Sequence, residues 1–169
     1  HLRGCHDLLG LTRPDVIREI HTRYLQAGAD IITPNSFNAN AISLADYGLS
    51  DHAREIARAA ASIARAAADE FTRRNPQKPR FVAGSMGPTN RTASMSADVA
   101  NPAAREITFR QLAEAYTEQA RGLLDGGADI LRVETGFDTR NAQAGLYAID
   151  TLCDERGEAG RGRASRQRG

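Results

Sequence analysis

Apolar residues recur along this sequence at the three- and four-residue spacing of amphipathic helices, and short apolar runs lie between the helical stretches. The first predicted helix begins near Pro14, is capped by Thr12 and ends at Gly28. We expect its buried face to consist of Val16, Ile17, Ile20 and Tyr24. A second helix is predicted from Asp51 to Arg73. Its apolar stripe comprises Ile56, Ala60, Ile63, Ala67 and Phe71.

Two further helices are predicted in the second half of the chain. Thr108 and Gln111 form a capping box that opens one of them, and the pair Gly126-Gly127 ends it. Its buried face is expected to comprise Leu112, Tyr116, Ala120 and Leu123. The last helix is predicted over 142–152, and the apolar pattern vanishes from Asp154 onward.

The apolar runs between these helices predict three strands, over 29–33, 80–83 and 128–134. Strands that alternate with helices indicate a parallel sheet, either doubly wound or closed into a barrel. An internal repeat favours the barrel, because the Gly-Ala-Asp that ends the first helix at Gly28 returns 99 residues later at Gly127.

The expected fold class is therefore α/β, a partial (β/α)8 TIM barrel of about the first half, in which parallel strands alternate with helices. Three strands are predicted where a closed barrel has about eight. We expect residues 1–153 to form this partial barrel domain and residues 154–169 to form a disordered Gly/Arg-rich tail.

Composition narrows the class of protein. A chain of 169 residues with 41% hydrophobic content suits one ordinary domain. The sequence shows no long apolar run and no basic stretch leading into one, so we expect no membrane span and a cytoplasmic protein. The last eleven residues hold four arginines and no acid, which leaves 18 basic and 21 acidic side chains elsewhere. This mildly acidic body argues against a nucleic-acid partner.

Candidate functional residues are those that directly follow each strand, since barrels of this kind bind ligands over the carboxyl ends of their strands. The three stretches, 35–38, 84–90 and 134–138, are polar or rich in glycine. Such residues can exchange hydrogen bonds with a small zwitterion, and glycine lets the backbone approach it. The long polar loop from Gly84 to Pro102 is accordingly predicted to cover a pocket.

The same stretches resemble the homocysteine-binding domain of cobalamin-dependent methionine synthase. The matching segments are 27–32 with 35–40, 82–90, and 133–135 with 137–139, in unbroken order within about residues 2–153. The resemblance implies that Glu134 binds the amino group of homocysteine. It also implies a pocket shaped by Asn35, Ser36, Phe37, Ser85 and Met86. No catalytic residue is assigned in this chain.

The resemblance further implies zinc and cobalamin as cofactors. In the family, three cysteines of the barrel's second half hold zinc, which favours the thiolate of homocysteine, and this thiolate attacks the methyl group of methylcobalamin to give methionine. Methylcobalamin belongs to another domain of the parent enzyme. Neither Cys5 nor Cys153 falls at a zinc-cysteine position of the family, so no metal ligand is expected here. We therefore expect a homocysteine S-methyltransferase domain fragment that is inactive by itself.

Two departures from the family pattern concern the pocket. Thr33-Pro34 stands where the family usually has Glu-Thr, which removes a carboxylate. Arg132 replaces an expected aliphatic residue and shares a face of its strand with Glu134. If that face points into the barrel, the arginine needs a partner or water, because an unpaired buried charge is costly.

Other functions remain open from the sequence. The chain is alternatively a catalytically inactive truncated product or a half-barrel that needs a partner chain. A barrel enzyme of another class, such as an aldolase, would need a Schiff-base lysine at a strand end, and the single lysine, Lys78, precedes its strand. The histidines are scattered, and we expect His21 and His52 to face solvent.

Overall fold

The structure is a computed structural model that describes residues 2–94, 96, 100 and 105–157. Its helices and strands alternate as predicted. In addition, a 3-10 turn and a short helix precede the first predicted helix, and another short helix and two 3-10 turns follow the first strand. The strands are β1 (Ile31–Ile32), β2 (Phe81–Met86) and β3 (Ile130–Val133). The helices are α1 (Leu9–Thr12), α2 (Pro14–Gln26), α3 (Ala41–Leu44), α4 (Ala53–Arg74), α5 (Phe109–Asp125) and α6 (Thr139–Glu155).

The three strands form one parallel sheet in the order β1-β2-β3. Ile31 of β1 lies opposite Phe81 of β2, and Ser85 of β2 lies opposite Arg132 of β3. Each strand therefore ends at the same edge of the sheet, which brings the stretches that follow the strands together. The predicted parallel sheet with alternating helices is confirmed.

Helices cover only one face of this sheet. Ile32 and Val82 belong to a buried cluster that also contains Leu25, Ala64, Ala67 and Ala68 of the helices. On the other face, Ile31, Phe81 and Ile130 remain 52%, 41% and 46% exposed. Because successive side chains of a strand point to opposite faces, Ala83 and Ser85 also lie on this second face, where both are buried, so the described residues leave the face only partly open.

The main core lies between α4, α5 and α6, and its pattern agrees with the sequence. The four residues predicted for the buried face of α5 are all fully buried, namely Leu112, Tyr116, Ala120 and Leu123. The helix begins with the predicted capping box, in which the Thr108 hydroxyl accepts from the Gln111 N–H and the Gln111 side chain accepts from the Thr108 N–H.

Close packing of α4 on α5 depends on glycine. A Cβ atom built on Gly122 would lie 2.5 Å from the carbonyl oxygen of Arg54 and 3.0 Å from the Cβ of Ala57. The same holds for Gly126, where the carbonyl oxygen of Arg58 lies 2.5 Å from the added atom. These contacts involve backbone, which cannot move aside without shifting the helix.

The start of α2 differs from the prediction that Thr12 caps it. Arg13 is the N-cap residue and makes no side-chain capping bond. The hydroxyl of Thr12 instead donates to the Leu8 carbonyl at 3.2 Å, because Thr12 is the last residue of α1. The extra helical turn displaces the capping position by one residue.

The prediction for the buried face of α2 was also partly wrong. Ile17, His21 and Leu25, spaced four residues apart, are the buried positions, whereas Ile20 and Tyr24 are exposed. His21 is therefore in the apolar interface and not in solvent, while His52 is exposed as expected. Burial disfavours the imidazolium and lowers the pKa of His21.

The predicted boundaries shift at the end of the chain. The last helix starts three residues earlier than predicted, at Thr139, and continues to Glu155, so it includes the first two residues of the predicted tail. The rest of that tail, from 158 onward, lies outside the described residues, as do several positions of the predicted loop between Gly84 and Pro102. Within the described part of the chain, no helix combines the length and apolar character that crossing a membrane requires.

We expect Gly122→Ala to lower the free energy of unfolding by about 1–3 kcal/mol, because overpacking against the α4 backbone outweighs the better helix propensity of alanine. Urea unfolding followed by circular dichroism measures this loss. Gly136→Ala is the matched control, since the nearest atom to its added Cβ is the Cβ of Ala142 at an ordinary 3.5 Å. Equal stability of the two variants would contradict the glycine-dependent packing.

Candidate ligand site at the carboxyl ends of the strands

A carboxylate, a hydroxyl and a guanidinium meet on the open face of the sheet. The Ser85 hydroxyl donates to Oε1 of Glu134 at 2.5 Å, and Nη2 of Arg132 donates to the same oxygen at 2.8 Å. Ser85 is buried, the Glu134 side chain is 25% exposed and the Arg132 side chain is 51% exposed. Arg132 thus has the partner that its charge requires, and the three side chains form a polar cluster that water reaches from one side.

The charge of Glu134 is stabilised by these neighbours. Burial raises the pKa of Glu134, but the hydrogen bonds from Ser85 and Arg132, together with the positive charge of Arg132, outweigh burial and lower this pKa below its ordinary value. Because an ordinary glutamate has already lost its proton at neutral pH, the lowered pKa keeps Glu134 fully ionised there. Glu134 is therefore a carboxylate at neutral pH, next to the positive charge of Arg132.

Backbone contacts fix the position of Glu134. Its N–H donates to the Met86 carbonyl at 3.1 Å, which extends the pairing of β2 and β3 by one residue. The next residue, Thr135, has a φ of 57°, in the left-handed region that a β-branched residue rarely adopts. The chain turns sharply there, so Glu134 stays at the end of the strand while 136–138 lead away towards α6.

The loop after β1 reaches the same place. Ser36 is fully buried, and its hydroxyl donates to the Ser85 carbonyl at 2.9 Å. The Ser36 carbonyl in turn accepts from Nε2 of the buried Gln119 at 2.7 Å. Phe37 packs on Gly87 so closely that a Cβ there would lie 2.5 Å from its ring. The predicted residues Ser36, Phe37, Ser85 and Glu134 are accordingly connected.

Two predicted pocket residues lie elsewhere. Nδ2 of Asn35 donates to the His6 carbonyl at 2.6 Å, so its amide ties the loop to the first 3-10 turn and makes no hydrogen bond to Ser85 or Glu134 among the described residues. The Met86 side chain is fully buried in the helix-facing core, on the face opposite to Ser85. Met86 contributes to the cluster only through its carbonyl group.

A second polar network, which the sequence reasoning missed, anchors the loop after β2. Buried Asp138, the N-cap residue of α6, accepts from the N–H and hydroxyl of Ser94 and from the N–H of Ala93. Burial raises the pKa of Asp138, but these donors, with those of Asn141 and Arg140, hold it far below its ordinary range. An aspartate directly before a helical pattern is a capping signal, so this residue was detectable.

Asn141 and Tyr116 complete that network. Oδ1 of Asn141 accepts from the Thr89 N–H and hydroxyl, at 3.0 and 2.8 Å, and from the Tyr116 hydroxyl at 3.1 Å. The Tyr116 hydroxyl also lies 3.0 Å from the Gly87 carbonyl, and burial raises the pKa of Tyr116 to about 12. The loop that begins at Gly87 is therefore held over the helices and beside the cluster of Ser85 and Glu134.

The described residues do not provide a metal site. They contain no group of three or more His, Cys, Asp or Glu side chains arranged to hold an ion. Cys5 is buried near the start of the chain, where burial raises the pKa of its thiol, and Cys153 lies in α6. The donors present here therefore do not fit zinc, which takes four ligands and prefers deprotonated thiolates.

Two other features of the surface are separate from the cluster. The ammonium of Lys78 lies 3.1 Å from the Gly28 carbonyl and 3.2 Å from Asp30, before β2 and at the amino ends of the strands, which does not suit a Schiff-base lysine. A cavity of about 620 Å³ between α3, α4 and α5 contains none of the six predicted site residues. That cavity is an open groove lined by residues of the helices and of the segments next to them.

Parallel strands alternate with helices, and an ionised carboxylate lies at their carboxyl ends, where barrels of this architecture bind small ligands. The family model of the homocysteine S-methyltransferases matches residues 1–157. The chain belongs to this family.

Solved structures of the homocysteine methyltransferase MmuM from Escherichia coli share the fold. The metallated form has a TM-score of 0.68 and 25% identity, over 89% of this chain and 51% of that chain. The oxidized form has a TM-score of 0.67 and 24% identity, over 89% and 50%. The apo form has a TM-score of 0.62 and 24% identity, over 93% and 51%. The present chain spans about half the length of these structures, and the predicted partial TIM barrel is confirmed.

We expect Asp138→Asn to lower the free energy of unfolding at pH 7 by about 1–3 kcal/mol, since an amide cannot satisfy all the donors that the carboxylate satisfies. The folded pKa of Asp138 is depressed, so its stabilising effect is complete above the ordinary aspartate pKa of about 4 and is lost as the pH falls below it. The difference between wild type and variant should shrink in that acidic range.

Urea unfolding at a series of pH values measures both effects. The matched control is Asp51→Asn, which removes an exposed carboxylate from the turn before α4. If the stability difference for Asp138→Asn stayed constant from pH 7 to pH 3, the ionised carboxylate would not be the stabilising form.

Proposed function

We propose that this chain forms the homocysteine-recognition part of a homocysteine S-methyltransferase, with Glu134 as the residue that binds the ammonium group. The observation that supports this most directly is the placement of an ionised carboxylate on the open sheet face, at the carboxyl end of β3. The family of the chain supplies the substrate class. Ser36, Phe37 and Ser85 would form the surrounding wall. The Met86 carbonyl would hold the backbone of Glu134, and the Asn35 side chain would hold the loop after β1.

The second carboxylate oxygen of Glu134 is available to accept a hydrogen bond from an ammonium group. Its Oε1 already accepts from Ser85 and Arg132, whereas Oε2 has no hydrogen-bond partner among the described residues. A charged ammonium can donate to Oε2 without displacing either neighbour, and charge-assisted bonds of this type are the strong ones. Homocysteine would thus bind with its ammonium group on β3 and its thiol extended over the open face.

The methyl transfer itself lies beyond the residues described here. Zinc has no ligand set among them, so we assign no step of the reaction to zinc in this chain. We propose methylcobalamin, held on another domain of the same enzyme, as the methyl donor, because the strand-end segments resemble cobalamin-dependent methionine synthase. We also propose that the enzyme works in methionine formation in the cytoplasm.

A chain with this open sheet face is proposed to be catalytically inactive alone. Ile31, Phe81 and Ile130 are large apolar side chains that the described residues leave about half exposed, and both outer strands of the described sheet offer unpaired backbone groups. These features favour a half-barrel that acts when further strands, on the same polypeptide or on a partner chain, complete the fold. Homocysteine binding and methyl transfer are therefore separate properties in this proposal.

We expect Glu134→Gln to weaken the binding of reduced L-homocysteine by about 10- to 100-fold, because a neutral amide replaces the charge-assisted bond to the ammonium. Isothermal titration calorimetry at pH 7.5 in the presence of a reductant measures the dissociation constant. The matched control is Glu114→Gln, an exposed carboxylate on α5 that should leave binding unchanged. Tight binding of homocysteine by the Glu134→Gln protein, with circular dichroism that matches wild type, would refute the assignment.

A further inference from the structure

Arg132 occupies an unusual position for a strand residue. It lies on β3 directly opposite Ser85 of β2 and two residues before Glu134, so all three side chains share the open face. Half of the Arg132 side chain is exposed, and its only recorded partner among the described residues is Oε1 of Glu134. Arg132 lies on the sheet face opposite to the helix-facing core, and its guanidinium is at the carboxyl end of β3, beside Glu134.

The guanidinium retains most of its hydrogen-bonding capacity. Arginine has five N–H donors in a planar fork, and Arg132 uses one of them on Glu134. Neither Nε nor Nη1 has a protein partner in the described structure, and Oε2 of Glu134 is likewise free. A set of unused donors and an unused anionic acceptor therefore stand side by side on one strand.

We infer that Arg132 is a specificity-determining residue that binds the α-carboxylate of the amino-acid substrate while Glu134 binds its ammonium group. An α-amino acid carries both charges on one carbon, so its receptors have to be neighbours of opposite charge, as Arg132 and Glu134 are. The planar fork of arginine matches a carboxylate in a bidentate way, which a lysine cannot reproduce. This inference rests on the proposed function, since Glu134 is taken as the ammonium site.

An alternative role would make a different prediction. If Arg132 only held Glu134 in position, it would be indifferent to the carboxylate of the ligand, and removal of its charge would affect every amine that binds Glu134 to the same extent. If Arg132 binds the carboxylate, its removal penalises only ligands that have one. The two roles are separated by comparing ligands with and without a carboxylate.

The experiment measures dissociation constants of three ligands by calorimetry for wild type, Arg132→Met and Arg132→Lys. The ligands are L-homocysteine, 3-aminopropane-1-thiol, which lacks only the carboxylate, and L-2-aminobutyrate, which keeps the amino-acid group and lacks the thiol. Arg110→Met, on the exposed side of α5, is the control for loss of an arginine. Circular dichroism verifies that each variant is folded.

We expect wild type to prefer L-homocysteine over 3-aminopropane-1-thiol by about 10- to 100-fold, the size of one charged hydrogen-bonded pair. Arg132→Met should lose this preference through weaker binding of L-homocysteine, without weaker binding of the thiol amine. Arg132→Lys should retain part of the preference, and Arg110→Met should retain all of it. Equal weakening of both thiols in Arg132→Met, or no preference in wild type, would overturn the inference and leave the proposed function standing.

The third ligand, L-2-aminobutyrate, separates recognition of the amino-acid group from recognition of the thiol. Binding of L-2-aminobutyrate as tightly as L-homocysteine, with loss of both in Arg132→Met, would support the carboxylate role and refute recognition of the thiol. Binding of none of the three ligands by wild type would refute the proposed function and the role of Arg132 together.

Discussion

The pairing of β2 with a strand on each side is the constraint on which the rest of the site depends. β1 pairs with Phe81 and Val82 at the start of β2, and β3 pairs with the four residues that follow, so β2 is held along its whole length. Ser85 is hydrogen-bonded to the segments on both sides of β2. Its carbonyl accepts from Ser36 of the loop after β1, and its hydroxyl donates to Glu134 after β3. One central strand therefore sets the distances between residues that lie almost 100 positions apart in sequence.

The two polar networks around β2 have different roles: one fixes a loop, and the other can bind a ligand. The buried network of Asp138, Asn141 and Tyr116 fixes the loop after β2 through fully satisfied hydrogen bonds, which is the arrangement in which buried polar groups stabilise. The cluster of Ser85, Arg132 and Glu134 is only partly enclosed and keeps unused donors and acceptors. The first network therefore fixes the loop after β2, and the second has groups available to bind a ligand.

Much of this arrangement could be predicted from the sequence. The capping box at Thr108, the stripe of α5 and the alternation of strands and helices depend on local spacing, which the sequence records directly. Sequence likewise indicated Ser85 and Glu134, since strand ends meet at one edge. The sequence could not show that the Met86 side chain points to the helices. Both faces of β2 are partly apolar, so the apolar pattern does not tell which residues face the helices. The placement of His21 was misjudged because α2 has apolar residues on two sides.

The open sheet face has a consequence for the local dielectric environment. The effective dielectric constant for charges near a protein surface is about 20, and water reaches Arg132 and Glu134 from one side. Their mutual attraction, and the attraction of each for a ligand, is therefore weaker than it would be in a closed site and is partly screened by salt. Any further layer that covered Ile31, Phe81 and Ile130 would exclude water from the same charges and strengthen every one of these interactions, with no change in the residues themselves. The strength of the site is thus set by what lies over the sheet as much as by the side chains within it.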